Sequence, residues 1–168
     1  LNMKRGTIPL LNISLCFNRK ILNTMCIPDQ GILSGCEITS WYEEDGAPDG
    51  EFAYYDKILY AADQICFSIE NEKHEELSAA CEAVEYEKDR HETKNVLKRM
   101  VYRTLSKVSG KELPWGDLTG IRPTKIPMKM LEEGKTNVEI AKYMRETYYT
   151  SPEKTALAIT IATGKRTF

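Results

Sequence analysis

Two glycines, two prolines and a tryptophan crowd the thirteen residues Leu113-Pro114-Trp115-Gly116-Asp117-Leu118-Thr119-Gly120-Ile121-Arg122-Pro123-Thr124-Lys125. That composition makes a shaped loop, because glycine permits turns closed to other residues and proline fixes φ. Trp115 supplies a flat apolar face with a single N–H donor. Arg122 and Lys125 bracket a predicted helix N-terminus, with Thr124 as its N-cap. Free backbone N–H groups and the helix dipole favour an anion at such a point. Trp115, Arg122, Thr124 and Lys125 are therefore the candidate binding residues, and a carboxylate is the chemistry they suit. The competing reading is a corner in which Trp115 is core and Arg122 caps backbone carbonyls.

No pattern specifies a catalytic group or a metal centre. The cysteines at 16, 26, 36, 66 and 81 include no Cys-x2-Cys pair, and their odd number argues against a complete disulfide framework. Cys66, inside Gln64-Ile65-Cys66-Phe67-Ser68-Ile69, reads as a small buried hydrophobe. His74 and His91 alone give little support to a zinc site. Reduced thiols in a cytoplasmic protein are the expectation.

Charge is balanced overall and uneven locally. Lys and Arg number 23 against 25 Asp and Glu, a net charge of −2, so no global attraction to nucleic acid or anionic lipid operates. Yet Glu43–Glu92 holds 16 acids and 4 bases, whereas Lys94–Lys129 holds 9 bases and 2 acids. These are two solvated faces, or a basic surface built for an anionic group. Lys4 and Arg5 followed by Ile8–Phe17 have the outline of a signal peptide, but Asn12 and Ser14 interrupt the apolar run. A buried strand accounts for it better. No apolar run approaches the length of a spanning helix.

The elements that must position the loop follow from periodicity. With 168 residues the chain buries roughly 70% of its extended surface, enough for a core without staples. Ile8–Phe17 and Glu37–Tyr42 are β-prone, and Gly46-Ala47-Pro48-Asp49-Gly50 is a turn. Phe52–Ile69 ends with apolar residues at period two, although Tyr54–Ala62 equally fits a short helix. Residues 18–36 are ambiguous. From Tyr86 the period shifts toward 3.6. Val96, Leu97, Met100, Val101, Leu105 and Val108 form one stripe of a helix of about 20 residues that Gly110 ends. Three shorter helices are predicted after it. Thr124 caps the first, with Pro127 at its third position, and Gly134 closes it. Thr136-Asn137-Val138-Glu139 is a capping box that opens the second, with Ile140, Tyr143 and Met144 inward. Ser151-Pro152 opens the third, which Gly164 ends. The fold class is α+β. Residues 1–85 form a β-rich part with a small sheet, and 86–168 form a part of about four helices.

A resemblance attaches to the helical part. Lys94-Asn95-Val96-Leu97-Lys98-Arg99, Lys111 to Gly116, Leu118 to Lys125 and Leu131-Glu132-Glu133-Gly134 resemble a known region. It lies just upstream of the radical SAM core in coproporphyrinogen dehydrogenases of the HemZ type. These belong to the oxygen-independent coproporphyrinogen III oxidase-like family of haem and porphyrin biosynthesis. The likeness covers about Lys88 to Ala162. It implies a parent oxidoreductase with a 4Fe-4S cluster and S-adenosylmethionine, the cluster held by Cys-x3-Cys-x2-Cys. That motif is absent here. The expectation is an N-terminal fragment that carries no cofactor, is non-catalytic by itself, and has the missing radical SAM domain and a porphyrinogen as partners.

Two other classes compete. Glu132 to Ala141 is similar to the first helix of response-regulator output domains, which would make Ser151–Thr155 the start of a DNA-recognition helix. That helix runs Ala156-Leu157-Ala158-Ile159-Thr160-Ile161-Ala162, too apolar for a groove, and the gap from Arg145 to Thr150 is long for a tight turn. The last class is a stand-alone RNA-binding or protein-interaction module using the basic helix with Trp115. Thin aromatic interleaving argues against nucleic acid.

Overall fold

The computed structural model describes residues 11–17, 36–61, 63–85, 88, 90–118 and 122–164. Residues 18–35, with Cys26, and the signal-like residues 1–10 lie outside them. The described chain is α+β, with five strands followed by four helices. It divides into two compact units, the first running to Met100 and the second starting at Val101.

In the first unit, β1 (Leu11–Phe17), β2 (Cys36–Tyr42), β3 (Tyr54–Tyr60), β4 (Gln64–Asn71) and β5 (Glu76–Ala83) make one mixed sheet. Its order is β2-β1-β3-β4-β5. β1 is parallel to both β2 and β3, whereas β3–β4 and β4–β5 are antiparallel. Tyr54–Tyr60 is thus a strand, and its helical alternative is excluded. The period of two explains which face is buried. Ile58 and Tyr60 on β3 and Ile65, Phe67 and Ile69 on β4 alternate with half-exposed neighbours. Ile13 and Leu15 of β1 join them. On β1 the intervening Ser14 and Cys16 are buried too, and Trp41 Nε1 donates to Ser14 Oγ at 2.8 Å. Burial raises the Cys16 thiol pKa.

Helix α1 (Arg90–Ser109) carries the expected stripe, with Leu97, Met100, Val101 and Leu105 buried. Gly110 ends it at φ 66°, its N–H donating to the Ser106 carbonyl at 2.9 Å. The second unit continues with α2 (Lys125–Glu132), α3 (Asn137–Tyr148) and α4 (Pro152–Gly164). Gly134 closes α2 at φ 82°, and Lys135 N–H reaches the Met130 carbonyl at 2.9 Å. The Thr136–Glu139 capping box is formed in both directions. Ser151 Oγ accepts from the Lys154 N–H at 3.3 Å, as an N-cap should. Ile140, Met144, Ala158, Ala162, Leu118 and Leu131 make the core of this unit.

Three expectations are corrected. Cys66 is not a free buried thiol: it is half-exposed and bonded to exposed Cys81. The two face each other across the β4–β5 ladder with Cα atoms 4.1 Å apart, so pairing of the strands itself delivers the second sulfur. The expectation of uniformly reduced thiols fails with it; Cys16 remains a free thiol. Tyr143 does not point inward. It is 41% exposed, because Ile140 and Met144 already fill the narrow inner face of α3. Finally, α3 extends to Tyr148, so only Tyr149–Ser151 separate it from α4, and the connection is a tight turn. Tyr149 makes it possible by adopting a left-handed conformation at φ 57°.

Candidate functional site

The loop after α1 is strapped to the α3–α4 turn by backbone hydrogen bonds. Asp117 N–H donates to the Tyr148 carbonyl at 3.0 Å, and Ser151 N–H donates to the Pro114 carbonyl at 2.9 Å. A turn within the loop closes through Gly116 N–H to the Leu113 carbonyl at 2.8 Å. Leu113 N–H in turn donates to the buried Tyr102 hydroxyl at 3.0 Å. Trp115 packs, half-buried, against the core formed by Leu118, Leu131, Ile140 and Met144. The Lys154 ammonium lies 5.5 Å from the centre of its ring. Trp115 is therefore a wall of the core, and its outer surface meets a cation rather than an anion.

Thr124 precedes α2 but does not cap it. Its backbone is helical (φ −69°, ψ −17°) and its hydroxyl makes no capping bond. An N-cap residue is extended so that its hydroxyl can turn back to the second or third N–H of the helix; Thr124 is already helical, and the third residue, Pro127, has no N–H to offer. The helix start is closed instead by Lys125 N–H to the Arg122 carbonyl at 2.9 Å and Met128 N–H to the Thr124 carbonyl at 3.2 Å. The side chains of Arg122 and Lys125 are exposed and make no hydrogen bond or ion pair among the described residues. Two cations thus stand free within one turn of each other at the start of α2, where the dipole also favours an anion. Of the four candidate residues, Trp115 packs on the core, Thr124 lies half-buried in the turn, and Arg122 and Lys125 are exposed on it.

A second feature of the same unit went unread in the sequence. The last turns of α1, the outer stripe of α3 and the α3–α4 turn enclose an open groove of about 1640 Å³. Arg103 and Lys107 reach it from α1, Lys142 and Arg145 from α3, and Lys154 from the start of α4. Glu112, Glu146 and Glu153 line it as well. The signal was available. Lys142 and Arg145 sit at helical spacing beside Val138, an exposed apolar residue, but the pattern of α3 reads first as a core-facing stripe.

A buried, strongly perturbed carboxyl lies in the first unit. Asp56 of β3 is 5% exposed, set in register between Leu15 and Ile69, and its Oδ1 has no hydrogen-bond partner among the described residues. Burial pushes its pKa up to about 7. Among the described residues no three His, Cys, Asp or Glu side chains converge as a metal site would require. No described helix is long and apolar enough to cross a membrane. From Thr155 to Gly164, α4 carries no charged residue and exposes Leu157 and Ile161. That stretch presents no cation to a phosphate, despite the tight turn before it. No family model, curated protein or solved structure matches the chain.

Proposed function

We propose that the chain is the accessory N-terminal domain of a radical SAM, coproporphyrinogen dehydrogenase-like enzyme of porphyrin biosynthesis. It binds carboxylate through Arg122 and Lys125. The reading rests on the resemblance of Leu113–Gly116 and Leu118–Lys125 to that family. The observation that carries it here is the pair of free cations at the start of α2, held by a loop strapped to the α3–α4 turn. Guanidinium meets a carboxylate as a bidentate fork, and ammonium adds a point charge beside it. The carboxylate is a porphyrinogen propionate or an acidic side chain of the catalytic domain.

In that family a 4Fe-4S cluster with S-adenosylmethionine supplies the radical chemistry. The described residues do not fit such a cluster: no cysteine triad is assembled, and Cys66 and Cys81 are bonded to each other. No chemical step is therefore assigned to this chain.

Titration with a porphyrin tetracarboxylate, and separately with the radical SAM core of a family member, tests the reading. Arg122→Ala and Lys125→Ala should each weaken one of these associations about tenfold, the loss expected for a charge-assisted contact. Association that both substitutions leave unchanged would overturn the role of the loop. A stoichiometric cluster reconstituted on this chain alone would overturn its accessory status.

A further inference from the structure

We infer that the groove between the end of α1 and α3 receives an acidic amphipathic helix of a partner protein. This stands on the groove alone and does not depend on the activity proposed above. Three observations lead to it.

The first is dimension. The residues of α3 that line the groove run from Asn137 through Ala141 and Arg145 to Tyr149, the whole length of the helix and one residue beyond. At 1.5 Å per residue, a helix of 12 residues gives a trough about 18 Å long. The groove, about 1640 Å³ and open to solvent, has room for one face of a helix of that length.

Chemistry along the walls is the second. Val138 lies 78% exposed on α3 and lines the groove, with Ala141 one turn on and Pro114 contributed by the loop. An exposed apolar row flanked by charge is what a helix-in-groove partner covers, with its own apolar residues at spacings of three and four.

The third is charge. Five cations face three carboxylates in the groove. Lys107, Lys142 and Arg145 make no ion pair or hydrogen bond among the described residues, so they are free to meet carboxylates on the guest. The carboxylates of Glu112, Glu146 and Glu153 set the sign of specificity. A nucleic acid strand, uniformly anionic, would bring phosphates against them. An amphipathic helix interleaves its carboxylates with neutral residues and avoids that repulsion.

The test uses the whole chain and a labelled peptide with Leu at helical i, i+3, i+4, i+7 spacing and Glu alternating with Gln at its remaining positions. A scrambled peptide of equal composition and a single-stranded RNA are run beside it at about 0.15 M salt. Saturable one-to-one binding of the patterned peptide is expected, about tenfold tighter than the scrambled one. Val138→Asn and Arg145→Ser should each remove about that factor. Lys129→Ser, an exposed cation of α2 outside the groove, should leave affinity unchanged. All three positions are solvent-exposed, so circular dichroism should report an intact fold for each variant. Equal affinity for the two peptides, indifference to Val138→Asn, or tighter RNA binding lost on Arg145→Ser would each overturn the inference.

Discussion

Gly116 and Tyr148 approach so closely that no side chain fits between them. Gly116 sits at φ 59°, and a Cβ built on it would collide with the Tyr148 carbonyl and stand 2.6 Å from the Tyr149 carbonyl carbon. The next residue donates to that same carbonyl, Asp117 N–H to Tyr148 O at 3.0 Å. This contact seats the loop on the α3–α4 turn.

Gly116→Ala should therefore destabilise the second unit by more than about 2 kcal/mol, since strain at positive φ adds to a backbone collision. Urea unfolding followed by helical circular dichroism measures it. A midpoint unchanged from the parent would show that the strap is dispensable.

Trp115 and Arg122 should separate cleanly. Removing the half-buried indole leaves a gap in the cluster around Leu131 and Met144, and Trp115→Ala is expected to cost about 2–4 kcal/mol. Arg122→Ala touches an exposed side chain without partners among the described residues and should stay within about 0.5 kcal/mol. Thermal melts of both variants decide it. A large loss from Arg122→Ala would make that residue structural.

Asp56 makes stability depend on pH in a fixed direction. Its carboxyl is raised from 3.8 to about 7 by burial, so the folded state holds a proton that the unfolded state releases. Its favourable contribution is complete below pH 3.8 and is lost as pH rises through about 7. A shift of this size corresponds to roughly 4 kcal/mol between the two ends of that window. Asp56→Asn should flatten the dependence, raising stability at pH 8 and changing it little near pH 4. Denaturation midpoints across this range would refute the assignment if the two proteins ran parallel.

The Cys66–Cys81 bond closes a chain separation of 15 residues, for which a cross-link contributes about 3 kcal/mol through the unfolded state. Cys81→Ser should lower the unfolding midpoint of the sheet, and alkylation under non-reducing conditions should spare both sulfurs in the parent. Rapid labelling of Cys81 in unreduced protein would contradict the bond.

The helical half was largely legible because its signals are local. Gly110, Gly134, the Thr136–Glu139 box and Ser151-Pro152 each act within one turn, so their residues name the helix boundaries unaided. The same locality explains the error at Thr124. A cap needs an extended backbone at its own residue, and Thr124 is instead helical, with one of its two possible donors removed at Pro127. Arg122 and Lys125 were visible as cations near a helix start; that their side chains are left unpartnered depends on what packs around them.

β5 shows the limit most directly. Glu76-Leu77-Ser78-Ala79-Ala80-Cys81-Glu82-Ala83 is rich in helix formers and buries only Ser78, yet it is a strand. Its conformation comes from the ladder it makes with β4, a choice worth more than propensity and invisible within eight residues. That register also brings Cys81 to Cys66, a pairing no spacing rule specified. The outward turn of Tyr143, the left-handed Tyr149 and the groove between α1 and α3 likewise depend on neighbours distant in the chain. By itself, then, the sequence determined the class, the four helices and the loop with its two cations, because hydrophobic period and capping chemistry are short-range. Tertiary structure alone decided strand partners, the disulfide, the buried Asp56 and the groove, because each depends on which surfaces meet after the chain has closed on itself.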